Sequence, residues 1–158
     1  KTSNLSNFID SNKLSVLIFH SISCPFNNIY DQKIDLLNLA YQKDSVRFIY
    51  VNSNKFENNI KTPNEELFTF ISTKSTSYLL DRKRELKKLF KIKKNGSIIV
   101  CKQEKLKGIK IFYEGPVDDS PQSENASNMF LNTAIKNALV DQSTNIDFIQ
   151  TGCRITNH

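Results

Sequence analysis

The chain has 158 residues, a net charge of +6 and 39% apolar side chains, including 11 Phe. That supports a globular protein with enough chain for one ordinary domain and a real core. No apolar run reaches the length of a membrane span, so integral insertion is not expected.

The composition is skewed. Asn and Lys number 18 each and Ile 17, against four Ala and four Arg, the bias of an AT-rich genome. With so many Asn and Ser residues, the three Asn-x-Ser/Thr sequons at Asn4, Asn95 and Asn125 are discounted as chance. The charge is also uneven. Residues 82–110 hold 12 basic and two acidic side chains, while the other 129 hold 10 basic and 14 acidic. The basic block therefore sets the sign of the whole chain and points to an acidic partner, a nucleic acid or an anionic surface. The first residue is Lys1, not Met. Processing or trimming is the expectation, although no signal peptide is visible. A removed targeting segment would place the protein in a mitochondrion, another organelle or a bacterial cell envelope.

Taken in order, residues 1–13 read as a polar N-terminal extension with a weakly amphipathic turn around Leu5, Phe8 and Ile9. Residues 15–20 read as a strand around Val16-Leu17-Ile18-Phe19. A short polar turn, Ser21-Ile22-Ser23, leads into Cys24-Pro25 and a helical period over 25–43 through Phe26, Ile29, Ile34, Leu37 and Tyr41. Pro25 fits a first helical turn, where a missing N–H costs nothing. A cysteine at that position meets free N–H groups and the positive end of the helix dipole, which favour a thiolate. Residues 46–52, VRFIYVN, form a second β-rich run. Strand, helix, strand within some forty residues predicts a right-handed βαβ unit with parallel strands.

Residues 52–63 read as a polar loop. Thr62 followed by Glu65 looks like a capped helix start, for a helix carrying Leu67, Phe68, Phe70 and Ile71. Residues 72–77 break it. Residues 79–90 are expected to form a helix with Leu79, Leu86, Leu89 and Phe90 along one stripe, Leu80 on its shoulder and basic residues elsewhere. Asn95-Gly96 is a turn. Residues 97–101 and 109–114 predict an antiparallel hairpin around Lys105 and Gly108, with Ile109, Ile111 and Tyr113 on one face. Residues 115–121 leave the sheet as a turn, with Asp118 and Asp119 as turn formers. A last helix carries Leu131, Ile135 and Leu139 in its core stripe. Residues 141–158 form a polar tail containing Ile146, Phe148 and Ile149.

Three cysteines, Cys24, Cys101 and Cys153, lie far apart. They form no Cys-x-x-Cys pair and no zinc spacing, and His20 and His158 are too few to complete a metal site. No metal or cofactor is expected. The odd count leaves at least one thiol or one intermolecular bond. Cys101 reads as a buried small hydrophobe in a strand. His20 reads as a strand-end histidine that could tune Cys24.

The order β-α-β-(α)-α-β-β-α with Cys-Pro at the first βα junction carries a resemblance. So do Ser21-Ile22-Ser23-Cys24-Pro25, Val51-Asn52-Ser53-Asn54, Gly115-Pro116-Val117-Asp118-Asp119 and Thr151-Gly152-Cys153-Arg154-Ile155. Together they resemble the redoxin group of thioredoxin-like proteins, close to its peroxiredoxin-like (alkyl hydroperoxide reductase/thiol-specific antioxidant-like) branch. The match covers about residues 14–155. It implies a three-layer α/β/α fold, with a mixed four- or five-stranded sheet and helices on both faces, in a single domain over 1–158. The departures concern the chemistry. Ser21 stands where the family has the first cysteine of its Cys-x-x-Cys pair, and a hydroxyl cannot enter a disulfide. The family's proline before the third strand aligns with Gly96 or its neighbours, and its turn arginine with Pro116.

Two functions are therefore expected from the sequence. The first is a non-catalytic protein-interaction module or accessory subunit of a larger assembly. Its basic block, with Lys87, Lys88, Lys91 and Lys94, would dock an acidic protein partner; nucleic acid is not expected. The second is a one-cysteine thiol peroxidase or thiol-disulfide oxidoreductase. There the resemblance implies Cys24 as nucleophile, Ser21 as the hydroxyl that orients the oxidant, and Cys153 as the thiol that resolves the sulfenic acid. A small-molecule substrate follows only from the peroxidase reading.

Overall fold

The structure, a computed structural model, describes residues 9, 12–58, 65–74, 76–104, 107–120, 126–149 and 152–155. Leu5, Phe8, the Thr62-Pro63 helix start, Lys105, Pro121, Thr151, His158 and the sequons at Asn4 and Asn125 lie outside the described residues.

Among the described residues, five strands and five helices follow one another as β1 (Leu14–Phe19), α1 (Pro25–Ala40), β2 (Val46–Asn52), α2 (Lys55–Asn58), α3 (Glu65–Thr73), β3 (Ser77–Leu80), α4 (Glu85–Leu89), β4 (Ile98–Glu104), β5 (Gly108–Gly115) and α5 (Phe130–Leu139). The sheet order is β3-β2-β1-β4-β5. Its left half is parallel, with Leu14 opposite Val46 and Ile49 opposite Ser77. Its right half is antiparallel, with Val16 opposite Val100. The apolar run of β1 is continuous because the strand is central and both its faces are covered.

The two-residue period of the strands sorts side chains into two cores. Val16, Ile18, Phe48, Tyr50, Ile98 and Val100 face Ile34 and Leu37 of α1 and Leu131, Ala134 and Ile135 of α5. Leu17, Phe19, Ile49, Val51, Ile99 and Cys101 face Leu86 and Phe90 around α4, with Ile92, Ile9 and Ile155. Each large buried side chain contributes about 1.5–3 kcal/mol relative to exposure. Three layers, helix on sheet on helix, result.

Leu139, expected in the core stripe of the last helix, is exposed, its place taken by Ala134 and Ala138. Two expectations about the strands need correction. Residues 79–90 are not one helix. Leu79 and Leu80 belong to β3, whose backbone pairs with β2, and α4 starts only at Glu85. Asp81 separates the two. Its buried carboxylate accepts from Ser53 Oγ at 2.7 Å and from the Leu86 and Lys87 N–H groups at 3.3 and 3.0 Å. Arg84 adopts φ 56° in the intervening turn. An edge strand captured by a parallel neighbour outweighs the helical period of four leucines. Nor do Ile109, Ile111 and Tyr113 share a face. A register shift sets Val100 opposite Tyr113 but Cys101 opposite Ile111, so one extra residue, Phe112, enters the strand. The bulge flips the alternation. Phe112 and Tyr113 both enter the α1/α5 core, while Ile111 stays exposed. Asp118 and Asp119 are turn formers as expected. Asp118 accepts from the Ser120 N–H and pairs with Lys33, and Asp119 accepts from the Ser127 N–H.

Candidate redox site

Cys24 is the N-cap of the 16-residue helix α1, with Pro25 in the first turn. Its N–H donates to the Ser21 carbonyl at 3.2 Å and its carbonyl accepts from the Asn27 N–H at 3.0 Å. No acidic side chain occupies the first turn of α1. Strand β1 thus delivers the Ser21-Ile22-Ser23 loop to the positive end of the helix, and Cys24 sits on it, 1% exposed.

The structure brings Cys153 to Cys24. The two form a disulfide with Cα atoms 6.0 Å apart across 129 residues of sequence. The tail reaches there by lying against the segment before β4. The Asn95 N–H donates to the Cys153 carbonyl at 2.8 Å, the Ile155 N–H donates to the Lys93 carbonyl at 3.1 Å, and Lys94 and Arg154 form an antiparallel bridge. Ile155 enters the α4-side core. Gly152 has φ 116° and passes so close to the Asn95 carbonyl oxygen that a Cβ there would overlap it. Only glycine suits both the conformation and the approach.

Ser21 is buried, but its hydroxyl is committed. It donates to Glu57 of α2, which also accepts from Ser23 Oγ at 2.7 Å and from Asn52 Nδ2. The side chain three residues before Cys24 is therefore tied to a carboxylate that fixes the loop. Gly96, in the stretch where the resemblance implies a proline, has φ 86° and donates its N–H to the Phe19 carbonyl at 2.7 Å. Proline could provide neither. Pro116 offers its carbonyl to the Tyr113 hydroxyl at 2.6 Å.

The third cysteine, Cys101, is free and fully buried on β4. Burial pushes its thiol up to about 12, far from any reactive range. Of the basic residues singled out from sequence, Lys87 and Lys88 lie on α4, and Lys91 and Lys94 lie in the turn that follows. Lys88 and Lys91 are exposed, Lys87 and Lys94 half-buried. Burial and the neighbouring Arg84 hold Lys87 below the usual lysine range. Lys94 thus lies on the backbone at which the tail docks. Sequence reasoning missed Glu57, which no spacing marks within a polar loop. It also missed Asp81, which its place between an apolar run and a charged stretch could have marked as a helix start.

No family model matches the chain, and no curated protein does. Solved structures do. The chain is similar to a hypothetical protein from Sinorhizobium meliloti, with 19% identity over 96% of this chain and 82% of that one and a TM-score of 0.74. An uncharacterized conserved protein from Geobacillus kaustophilus shares 21% identity, covering 94% and 79%, with a TM-score of 0.73. A thioredoxin-like protein solved in its oxidized form shares 16%, covering 84% and 81%, with a TM-score of 0.59. With its five-stranded mixed sheet between helices, the chain has a thioredoxin-like fold.

Proposed function

We propose that this is a thiol–disulfide exchange protein, a single thioredoxin-like domain whose redox pair is Cys24 and Cys153 in place of Cys-x-x-Cys. One observation carries the proposal: the cysteine that caps α1 is joined to a tail cysteine rather than shielded by Phe26, which is exposed. This sets the oxidoreductase alternative above the non-catalytic accessory subunit. The engagement of Ser21 by Glu57 favours disulfide exchange over peroxide chemistry, which would need that hydroxyl for the oxidant.

The step balances with an external dithiol as reductant. Its thiolate attacks the sulfur of Cys153, which is half-buried, rather than that of Cys24, which is covered. The S–S bond breaks, and Cys24 leaves as a thiolate at the positive end of α1. The second thiol of the donor then displaces Cys153. The donor leaves as a disulfide, and two electrons and two protons reside on Cys24 and Cys153. In the opposite direction the pair reduces a partner's disulfide. The basic block beside the docking segment suits an acidic partner, and twelve cations steer association even though single surface pairs contribute only about 0–1 kcal/mol.

The test is turnover of two peptide disulfides, one acidic and one basic, with dithiothreitol as donor. Cys24→Ser abolishes turnover and Cys101→Ser leaves it unchanged. At low salt the acidic peptide reacts faster by roughly tenfold, and changing Lys87, Lys88, Lys91 and Lys94 together to Glu reverses the preference. Undiminished turnover in Cys24→Ser refutes the redox pair; equal rates for the two peptides refute the acidic partner alone.

A further inference from the structure

The tail that brings Cys153 to Cys24 docks through a short antiparallel contact. The Asn95 N–H donates to the Cys153 carbonyl at 2.8 Å, and the Ile155 N–H donates to the Lys93 carbonyl at 3.1 Å. These two bonds flank Lys94 and Arg154, which lie opposite each other. A pair flanked in this way is of the non-hydrogen-bonded kind, with Cα atoms about 4.5 Å apart, where facing side chains come closest. Cys153 turns inward to Cys24, and Ile155 turns into the α4-side core. Strand alternation therefore puts the Arg154 side chain on the outer face of the contact, together with Lys94. Arg154 is exposed and Lys94 half-buried.

Two cations thus face each other, and their surroundings add to the conflict. Residues 86–103 hold six lysines and no acidic side chain, and Arg154 is the one charged residue in 148–155. Like charges directly opposite in an antiparallel pair are destabilising. A neutral or acidic residue at position 154 would keep both backbone bonds and the burial of Ile155 without that repulsion. Breaches of local consistency concentrate at functional places. Here the residue next to Arg154 supplies what overrides the repulsion, the bond between Cys153 and Cys24.

We propose that Arg154 is a positioning residue of the redox pair: opposite Lys94 it loads the docked tail with charge repulsion, so that the disulfide holds the tail down and reduction frees it. The repulsion disfavours the docked tail and with it the disulfide, which makes the bond easier to reduce. The step is the two-electron reduction by an external dithiol, which leaves thiols on Cys24 and Cys153 and the donor as a disulfide. The freed tail uncovers the Asn95 N–H, the Lys93 carbonyl and the apolar place of Ile155. The redox consequence rests on the reading of Cys24 and Cys153 as an exchanging pair; the contact itself does not.

The test equilibrates wild type, Arg154→Gln and Arg154→Glu with graded ratios of reduced to oxidised dithiothreitol, at low and at high salt. Arg154→Glu should need a ratio about three- to tenfold higher than wild type for half opening, with Arg154→Gln between them. Salt screens exposed charges. It should therefore make the wild-type bond harder to reduce and the Arg154→Glu bond easier. Equal ratios for wild type and Arg154→Glu, or one salt response shared by both, overturn the proposal. Hydrogen exchange of the Ile155 N–H in Cys153→Ser reads the docking of the tail without the bond. Adding Arg154→Glu should raise its protection several-fold, and no rise contradicts the inference. A wild-type bond that opens in no folded molecule refutes the exchanging pair instead, and the hydrogen-exchange comparison still decides on Arg154.

Discussion

Reducing the Cys24–Cys153 bond lowers the stability of the folded protein by about 2–5 kcal/mol, which for a chain of this size shifts Tm down by roughly 5–15 °C. The bond joins residues 129 apart in sequence, and constraint of the unfolded chain grows with the length of the closed loop. The fold itself survives reduction. β1, β2 and β4 and both apolar cores are built without the tail, apart from Ile155 and the partly buried Ile146. Thermal unfolding of oxidised and reduced protein reads the difference, and Cys153→Ser should behave like the reduced wild type whether or not reductant is present. Equal stability of the two forms, or loss of the sheet on reduction, would contradict this account of the tail.

Gly152→Val is expected to undo the same bond without touching a cysteine. At φ 116° a β-branched residue is strained by about 1–3 kcal/mol. Its Cβ would also fall on the Asn95 carbonyl oxygen, a backbone atom that cannot swing aside. The tail must lift, and the Asn95 N–H then loses the Cys153 carbonyl. Alkylation without reductant should find Cys24 free in more than about half of the molecules, with the stability loss of the reduced protein. Gly108→Ala is the control. Its φ of 87° makes it strained as well, but a Cβ there meets nothing, so the disulfide stays intact. An intact disulfide in Gly152→Val would show that the approach to Asn95 does not position Cys153.

The strands and helices of the α1/α5 side were legible because periodicity and burial agree there. Val16 to Phe19 is a run that only a doubly covered strand needs, and Pro25 marks the helix start within one residue. The edge strand β3 was not legible. Ser77–Leu80 is short, and its leucines fit the stripe of the helix that follows; its conformation comes from pairing with β2. The bulge at Phe112 was hidden for a related reason, since one inserted residue leaves composition unchanged and reverses every face after it. For the site, Cys24, Ser21 and Cys153 stood out by their motifs. The partnership of Cys24 and Cys153 came only through the resemblance, because no local spacing links residues this far apart. Glu57 and Asn95 act through a folded neighbourhood, Glu57 by its carboxylate and Asn95 by its backbone N–H, and the Asn95-Gly96 turn signal does not say what that N–H meets.

The most direct measurement is mass spectrometry of the three cysteines after alkylation of native protein equilibrated in a graded series of dithiol-to-disulfide ratios. Cys24 and Cys153 should become modifiable together, in one two-electron step, while the sheet stays folded and Cys101 stays unmodified. A bond that yields only when the sheet unfolds would be a structural cross-link, and a Cys24 modifiable in the absence of reductant would mean that no pair exists. Either result would contradict the assignment of Cys24 and Cys153 as a redox couple.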